Sequence, residues 1–391
     1  MVNPSETFKK VPPYLFAEID KNKAEAIARG VDIINLGVGD PDSPTYKRIV
    51  DVMHKAIDDP ANHDYPPYQG TKSYREAVVI WYKNRFNVEL DADKEVVSLI
   101  GSKEGIAHLL FAYLDPGDIV LVPSPGYPVY KMGTILAGGV PQFVPLLEEN
   151  NYLPDLDAIP KDVAKKAKIF FVNYPNNPTA ATATVAFYDK LVAFAKKYDI
   201  LIASDLAYSE MTYDGYKAPS ILEAKGAKDV ALEFHSLSKS FNMTGWRVAM
   251  AVGNAAAIKN LGTIKTNVDS GIFKAIQVAG IEALTKPVPE IEEMNALYKE
   301  RRDTIVKGLN GIGWNLKPIQ ATFYIWAPVP KETTSKDFIA KMLDVCGIVV
   351  VPGSGYGPEG EGYFRIALTA TVERLNEAIE RMKEAGISFA G

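Results

Sequence analysis

Short apolar runs recur through the middle of the chain, each ending near a polar residue and followed by a stretch with helical spacing. The runs are Ile119–Val122, Ile169–Val172, Ile200–Ala203, Ala231–Phe234 and Val248–Val252. Runs of this length, bounded by turn residues, read as strands buried on both faces. Between two of them, Tyr188, Leu191, Val192 and Ala195 fall at i, i+3, i+4 and i+7, the apolar stripe of an amphipathic helix. Strands alternating with helices predict an α/β fold, a mostly parallel central sheet flanked by helices. Asn173, Asp205 and Ser236 stand at the ends of three runs. Open α/β sheets bind their ligands outside the carboxyl ends of strands, so these positions are where chemistry is expected.

The pattern changes on either side. A helical stretch over Phe16–Arg29 stops at Gly30, a plausible residue to follow a helix end. Past about residue 285, a charge-rich helical stretch near Glu290–Lys307 leads into strand-like Thr322–Trp326, Ile348–Val351 and Tyr363–Leu368. A last helix carries Leu375, Ile379 and Met382 on one face. This predicts a large domain over residues 46–284 and a smaller α+β domain made by 1–45 with 285–391.

Composition narrows the classes. With 391 residues, 47% apolar and 23% charged, the chain has ordinary globular make-up and length for more than one domain. A net charge of −5, with both signs dispersed, offers no footprint for nucleic acid or an anionic membrane. No apolar run reaches bilayer length, and Met1–Phe16 lacks the apolar core of a secretory signal. The single cysteine, Cys346, excludes an intramolecular disulfide and suits the reducing cytoplasm; its apolar neighbours predict a buried thiol. His54, His63, His108 and His235 lack metal-ligand spacing, so no metal site is expected.

Candidate chemistry centres on Ser236-Leu237-Ser238-Lys239-Ser240, with Arg247 further on. A lysine amine forms a Schiff base with an aldehyde cofactor, and hydroxyls with a guanidinium suit a phosphate. Pyridoxal 5′-phosphate needs such a lysine and a partner for its pyridinium nitrogen. Taken alone, Lys239 reads as a solvated surface charge. Gly101-Ser102-Lys103 follows Val96–Ile100 and opens a helix with Ile106, Leu109, Leu110 and Tyr113 inward. That start is either a phosphate site or a helix with Ser102 as ordinary N-cap.

Asp205 is either a turn residue or the carboxylate that keeps a pyridine nitrogen protonated. Tyr208, and Asn177 in Asn173-Tyr174-Pro175-Asn176-Asn177-Pro178-Thr179, are candidates to bond a phenolic oxygen, although two prolines also mark a plain turn. Tyr127 is either core or a ring-stacking aromatic. Arg365, inside an apolar strand, needs an anion: an internal carboxylate or that of a substrate. Two glycine clusters point elsewhere. Gly37-Val38-Gly39 is followed by Pro41, Asp42 and Pro44, which oppose a dinucleotide site, and Gly353–Gly357 reads as a loop.

In chain order these pieces resemble the class I/II aminotransferases of pyridoxal-phosphate fold type I, over almost the whole chain. Pro12–Ile19, Gly37–Asp42, Gly101–Gly105, Phe234–Arg247 and Gly362–Leu368 carry the likeness. Within the family it points to the branch acting on LL-diaminopimelate. The resemblance implies a homodimer with shared active sites, an amino acid and 2-oxoglutarate as substrates, and ping-pong transamination. It implies Lys239 as the cofactor lysine, Asp205 as pyridinium partner, and Asn177 with Tyr208 at the phenolic oxygen. Ser102, Lys103, Ser236, Ser238 and Arg247 would hold the phosphate, with Tyr65 from the neighbouring subunit. Tyr127 would stack on the ring. Arg365 would clamp the α-carboxylate in a pocket lined by Gly39, Lys103 and Tyr14. Rival activities are an aspartate, alanine or aromatic aminotransferase, and a pyridoxal-phosphate β-lyase. Two positions depart from the family pattern: Ala180 replaces a glycine, and Ser270 replaces an asparagine expected at the far end of the substrate.

Overall fold

A computed structural model describes residues 2–12 and 15–389. Its strands are β1 (Ile34–Asn35), β2 (Val96–Leu99), β3 (Ile119–Ser124), β4 (Val140–Pro145), β5 (Ala167–Val172), β6 (Leu201–Asp205), β7 (Ala231–Ser236), β8 (Ala249–Gly253), β9 (Tyr324–Pro328), β10 (Ile348–Val349), β11 (Val351–Pro352) and β12 (Tyr363–Ala367). The strands β2 to β8 form one seven-stranded sheet in the order β2-β8-β7-β6-β5-β3-β4. Every pair from β4 through β3, β5 and β6 to β7 is parallel, while β8 runs antiparallel to β7 and to β2. All five expected apolar runs lie in this sheet.

Side chains of successive residues leave a strand on opposite faces. Phe170, Ile202 and Met250 therefore enter one apolar core, and their neighbours Phe171, Ala203 and Ala251 enter another. Both faces are covered, which is why the strands read as continuous apolar runs and not as alternations. The edge strand β4 was not among those runs. It carries Pro141 and Pro145, pairs only with β3, and leaves much of its side-chain surface exposed.

A separate core forms around β9, β12 and the helices Glu290–Gly311, Ser335–Cys346 and Val372–Glu384. Cys346 is buried in it, as its neighbours imply. Here the apolar run Ile348–Val351 divides. Ile348 and Val349 pair parallel with Ile34 and Asn35, whereas Val351 and Pro352 pair antiparallel with Arg365 and Phe364. The N-terminal segment is thereby stitched to the C-terminal third, and Arg365 is fixed in the middle of the sheet β11-β12-β9. The helix Leu15–Ala28 ends just before Gly30, whose φ of 83° suits a residue without a Cβ. Among the described residues, no helix is long and apolar enough to cross a membrane.

Candidate active site

The carboxyl ends of β5, β6 and β7 open onto a cavity of about 400 Å3, closed from the other side by β9 and β12. From the large sheet's side it is lined by Ser102, Lys103, Tyr127, Asn177, Asp205, Tyr208, Ser236, Ser238, Lys239 and Arg247. Gly39, Tyr324 and Arg365 line it from the opposite side. The residues expected to converge from one subunit do so, although they are spread from position 39 to position 365. Tyr65 does not: it is 85% exposed and outside this cavity. Tyr14 lies outside the described residues.

Lys239 stands on a single helical turn, Leu237–Ser240, at the end of β7. The Ser236 hydroxyl accepts a 3.1 Å bond from the Ser238 amide and starts that turn. The Lys239 amine donates to the Gly39 carbonyl at 2.7 Å and lies 3.9 Å from Asp40 Oδ1. Desolvation lowers its pKa to about 8, against the pull of Asp40. An appreciable share of the amine is then neutral and nucleophilic near neutral pH.

Asp205 ends β6 and is buried. Its Oδ2 accepts from the Tyr130 hydroxyl at 2.8 Å, and its Oδ1 has no hydrogen-bond partner. Burial raises the carboxyl to about 6, with the Tyr130 bond opposing. Tyr130 is itself held by stacking on Phe171, with centroids 4.8 Å apart. Asn173 donates to the Asp205 carbonyl at 2.6 Å and accepts from the Asn177 amide at 2.8 Å, so one side chain ties the two loops together.

The helix Ser102–Tyr113 begins differently from the N-cap alternative. Gly101 is the cap residue, at φ 85°, and Ser102 is the first helical residue. The Ser102 hydroxyl is buried and makes no hydrogen bond. A Cβ at Gly101 would collide with the Arg247 guanidinium, so glycine is what lets that cation reach the helix start. Arg247 donates to the Thr244 carbonyl at 2.8 Å and holds a φ of 57°. A helix N-terminus, an unused hydroxyl and a guanidinium together make an anion site.

Arg365 is buried on β12. It donates to Asn177 Oδ1 at 3.0 Å and to the Gly37 carbonyl at 2.7 Å. Its guanidinium lies 4.2 Å from the centroid of Tyr324 and 5.3 Å from that of Tyr356. The Tyr324 hydroxyl meets that of Tyr208 at 3.0 Å. Neither Tyr324 nor Tyr130 was foreseen. Tyr324 sits in an apolar strand and Tyr130 on the helix Pro128–Leu136, and both are buried, as a lone aromatic residue usually is.

The remaining sequence expectations divide. Ala180 has a φ of 59°, the left-handed region, and donates to the Asn176 carbonyl at 2.9 Å. The turn keeps a glycine-like geometry with alanine in it. Ser270 is exposed and outside the cavity; its loop packs on the segment after Tyr65, since a Cβ at Gly271 would lie 3.3 Å from Pro66. The histidines lack ligand spacing, yet His108 meets Glu104 and Asp269 with their ligand atoms within 4.8 Å. Lys265, fully buried, supplies the cation there, 3.2 Å from Glu104 and 2.9 Å from Asp269. Nothing in the local sequence around position 265 marks that lysine as buried.

The family model described as aminotransferase class I and II matches residues 31–382. The LL-diaminopimelate aminotransferase of Halothermothrix orenii is 59% identical over 98% of this chain and 99% of its own. The enzyme of the same name from Aquifex aeolicus is 57% identical over 97% and 98%. The structure of substrate-bound BacF from Bacillus subtilis superposes with a TM-score of 0.97 at 37% identity, covering both chains in full. The chain belongs to the class I and II aminotransferases. It is an enzyme that transfers amino groups, and the relatives that resemble it over nearly their whole length carry the name LL-diaminopimelate aminotransferase.

Pyridoxal phosphate, the cofactor general to that class, fits the residues present. A buried carboxylate oxygen on Asp205 and a buried hydroxyl on Ser102 both lack hydrogen-bond partners. They line the same cavity as the Lys239 amine and the Arg247 guanidinium. A cationic ring nitrogen, a phosphate and an aldehyde are the groups that this set can satisfy.

Proposed function

We propose that the enzyme transfers an amino group from LL-2,6-diaminopimelate to 2-oxoglutarate, with pyridoxal phosphate as its cofactor. The resulting amino-oxo acid closes on itself with loss of water to give tetrahydrodipicolinate, and 2-oxoglutarate leaves as glutamate. The observation that carries the chemistry is the meeting of Lys239, Asp205 and Arg365 in one cavity. The choice of donor rests on relatives of that name at 53–59% identity across nearly the full chain.

Bound in this cavity, the cofactor supplies an electron sink for the pair left when the substrate α-carbon loses its proton. The chain's own residues do the rest. Lys239, whose amine burial brings down to about 8, would take the proton from the substrate α-carbon and deliver it to the cofactor carbon that keeps the amino nitrogen. Asp205, whose Oδ1 has no hydrogen-bond partner, would hold the ring nitrogen and favour its protonated form. Tyr208 and Asn177 would hold the phenolic oxygen, and Tyr127 the ring. Ser102, Lys103, Ser236, Ser238 and Arg247 hold the phosphate. Arg365 orients the α-carboxylate through its planar fork, in a pocket walled by Gly39 and Lys103.

The functional unit in this reading is a cytoplasmic homodimer. Tyr65, which its own cavity does not use, reaches the phosphate site of the partner. The loop around Ser270 packs beside the same segment and reaches the far end of the partner's substrate. Residues 46–284 form the cofactor-binding domain, and 1–45 with 285–391 the smaller one.

Purified enzyme given LL-diaminopimelate and 2-oxoglutarate, with tetrahydrodipicolinate trapped as it forms, tests this directly. Faster turnover with aspartate, alanine or phenylalanine contradicts the donor. Release of pyruvate and ammonia without an oxo-acid acceptor contradicts transamination itself.

A further inference from the structure

Tyr324 lines the cavity and touches Tyr208, Arg365 and Gly39, without having been assigned any part in the reaction. Its hydroxyl is 3.0 Å from that of Tyr208. Its ring lies under the Arg365 guanidinium at 4.2 Å. Its hydroxyl also fills the space beside Gly39 where a Cβ would stand, and the Gly39 carbonyl anchors the Lys239 amine at 2.7 Å. The ring is buried on β9, the neighbour of β12, with Tyr324 paired to Ala367 in the ladder.

A phenol has one hydrogen to give. Burial holds both Tyr208 and Tyr324 above the ordinary phenol range, so each keeps its hydrogen at neutral pH. If Tyr208 spends its hydrogen on the phenolic oxygen of the cofactor, the 3.0 Å contact can be filled in one way only. Tyr324 must donate and Tyr208 must accept. Accepting a hydrogen bond makes the Tyr208 hydroxyl a stronger donor in turn.

We propose that Tyr324 is a positioning residue for the transamination, donating to Tyr208 so that Tyr208 gives its hydrogen to the cofactor's phenolic oxygen, while its ring face seats Arg365. This rests on the functional reading above, and it adds a residue and a direction to it. One side chain then joins the group that reads the substrate carboxylate to the group that sets the proton affinity of the cofactor. Stabilising the phenolate lowers the pH at which the lysine-bound cofactor loses its proton, so removing the Tyr324 hydroxyl raises it.

The test is a pH titration of the absorbance of purified holoenzyme, before any substrate is added. Tyr324→Phe should raise the apparent pKa of the bound chromophore by roughly 0.1–0.7 unit, the 10–30% by which one hydrogen bond strengthens the next in a chain ending on a charged oxygen. Tyr208→Phe should raise it further. In the Tyr208→Phe background, adding Tyr324→Phe should produce no additional shift, because the only route from Tyr324 to the cofactor is gone. An unchanged titration in Tyr324→Phe, or equal shifts with and without Tyr208, overturns the proposal. A parent enzyme that takes up no pyridoxal phosphate would instead overturn the functional reading, so the two failures are distinct.

Discussion

The amine of Lys239 is held at 2.7 Å by the carbonyl of Gly39, two hundred residues earlier in the chain. The bond joins the end of β7, in the large sheet, to the segment that follows β1, beside the separate core around β9 and β12. Any ligand that takes the amine away from Gly39 also frees the N-terminal segment from this tether. Arg365 makes a second connection of the same kind, to Gly37 on one side and Asn177 on the other.

Asp205 gives a pH signature in the cofactor-free protein. Its carboxyl is at about 6 when folded, against 3.8 for the ordinary group. The folded state binds this proton more tightly, so the stability it contributes is full below about pH 4 and lost as pH rises through about 6. Asp205→Asn should therefore be more stable than the parent at pH 7, by on the order of 2–3 kcal/mol, with the gap closing below pH 4. Urea unfolding across that range checks it. With cofactor bound the same substitution should cost activity, because the ring nitrogen loses its anionic partner.

Arg365→Lys keeps the charge and loses the fork. A planar pair of bonds to a carboxylate is worth more than a point charge. The expected loss in kcat/KM is roughly 10- to 100-fold for amino donor and oxo-acid acceptor alike, in line with charged hydrogen bonds of about 1.5–3 kcal/mol. A loss confined to one of the two substrates in steady-state kinetics argues against a shared carboxylate clamp.

Ala180→Gly should be neutral or stabilising, by up to about 1 kcal/mol. The left-handed backbone at φ 59° costs an L-residue energy that glycine avoids, partly offset by glycine's greater freedom when unfolded. Urea midpoints decide it. A clear destabilisation would mean that the alanine methyl, buried here, packs for more than the strain it causes.

Lys265→Met should destabilise the enzyme by about 3–5 kcal/mol, since it leaves Glu104 and Asp269 together without their cation. Glu104 also accepts from the Ile100 amide at 2.9 Å, just before the phosphate helix, so cofactor release should quicken as well. Adding Asp269→Asn should restore part of the stability. A single-variant loss below about 1 kcal/mol would show the cluster to be solvated.

Much of this architecture is legible in the amino-acid order, for physical reasons that can be named. Strands covered on both faces are continuous apolar runs, and the residues at their carboxyl ends, Asn173, Asp205 and Ser236, are polar because they face a cavity. What stays hidden depends on partners distant in sequence. The edge strand β4 lacks an apolar run because one side of it is solvated. Ile348–Val351 looks like one strand because both halves are buried, and only the positions of β1 and β12 divide it. Tyr130 and Tyr324 look like core because they are core; their hydroxyls matter through Asp205 and Tyr208, 75 and 116 residues away. Lys265 reads as surface because a lone lysine nearly always is, and its anions come from position 104 as well as 269.

The central claim is that Lys239, alone among the lysines, carries the cofactor. Borohydride reduction of enzyme loaded with pyridoxal phosphate, followed by mass mapping of its peptides, tests this most directly. The predicted result is a single fixed adduct on the Lys239 peptide. In Lys239→Ala that adduct should be absent and turnover lower by at least about 10²–10⁴-fold. An adduct on another lysine, or near-normal turnover in the variant, contradicts the account.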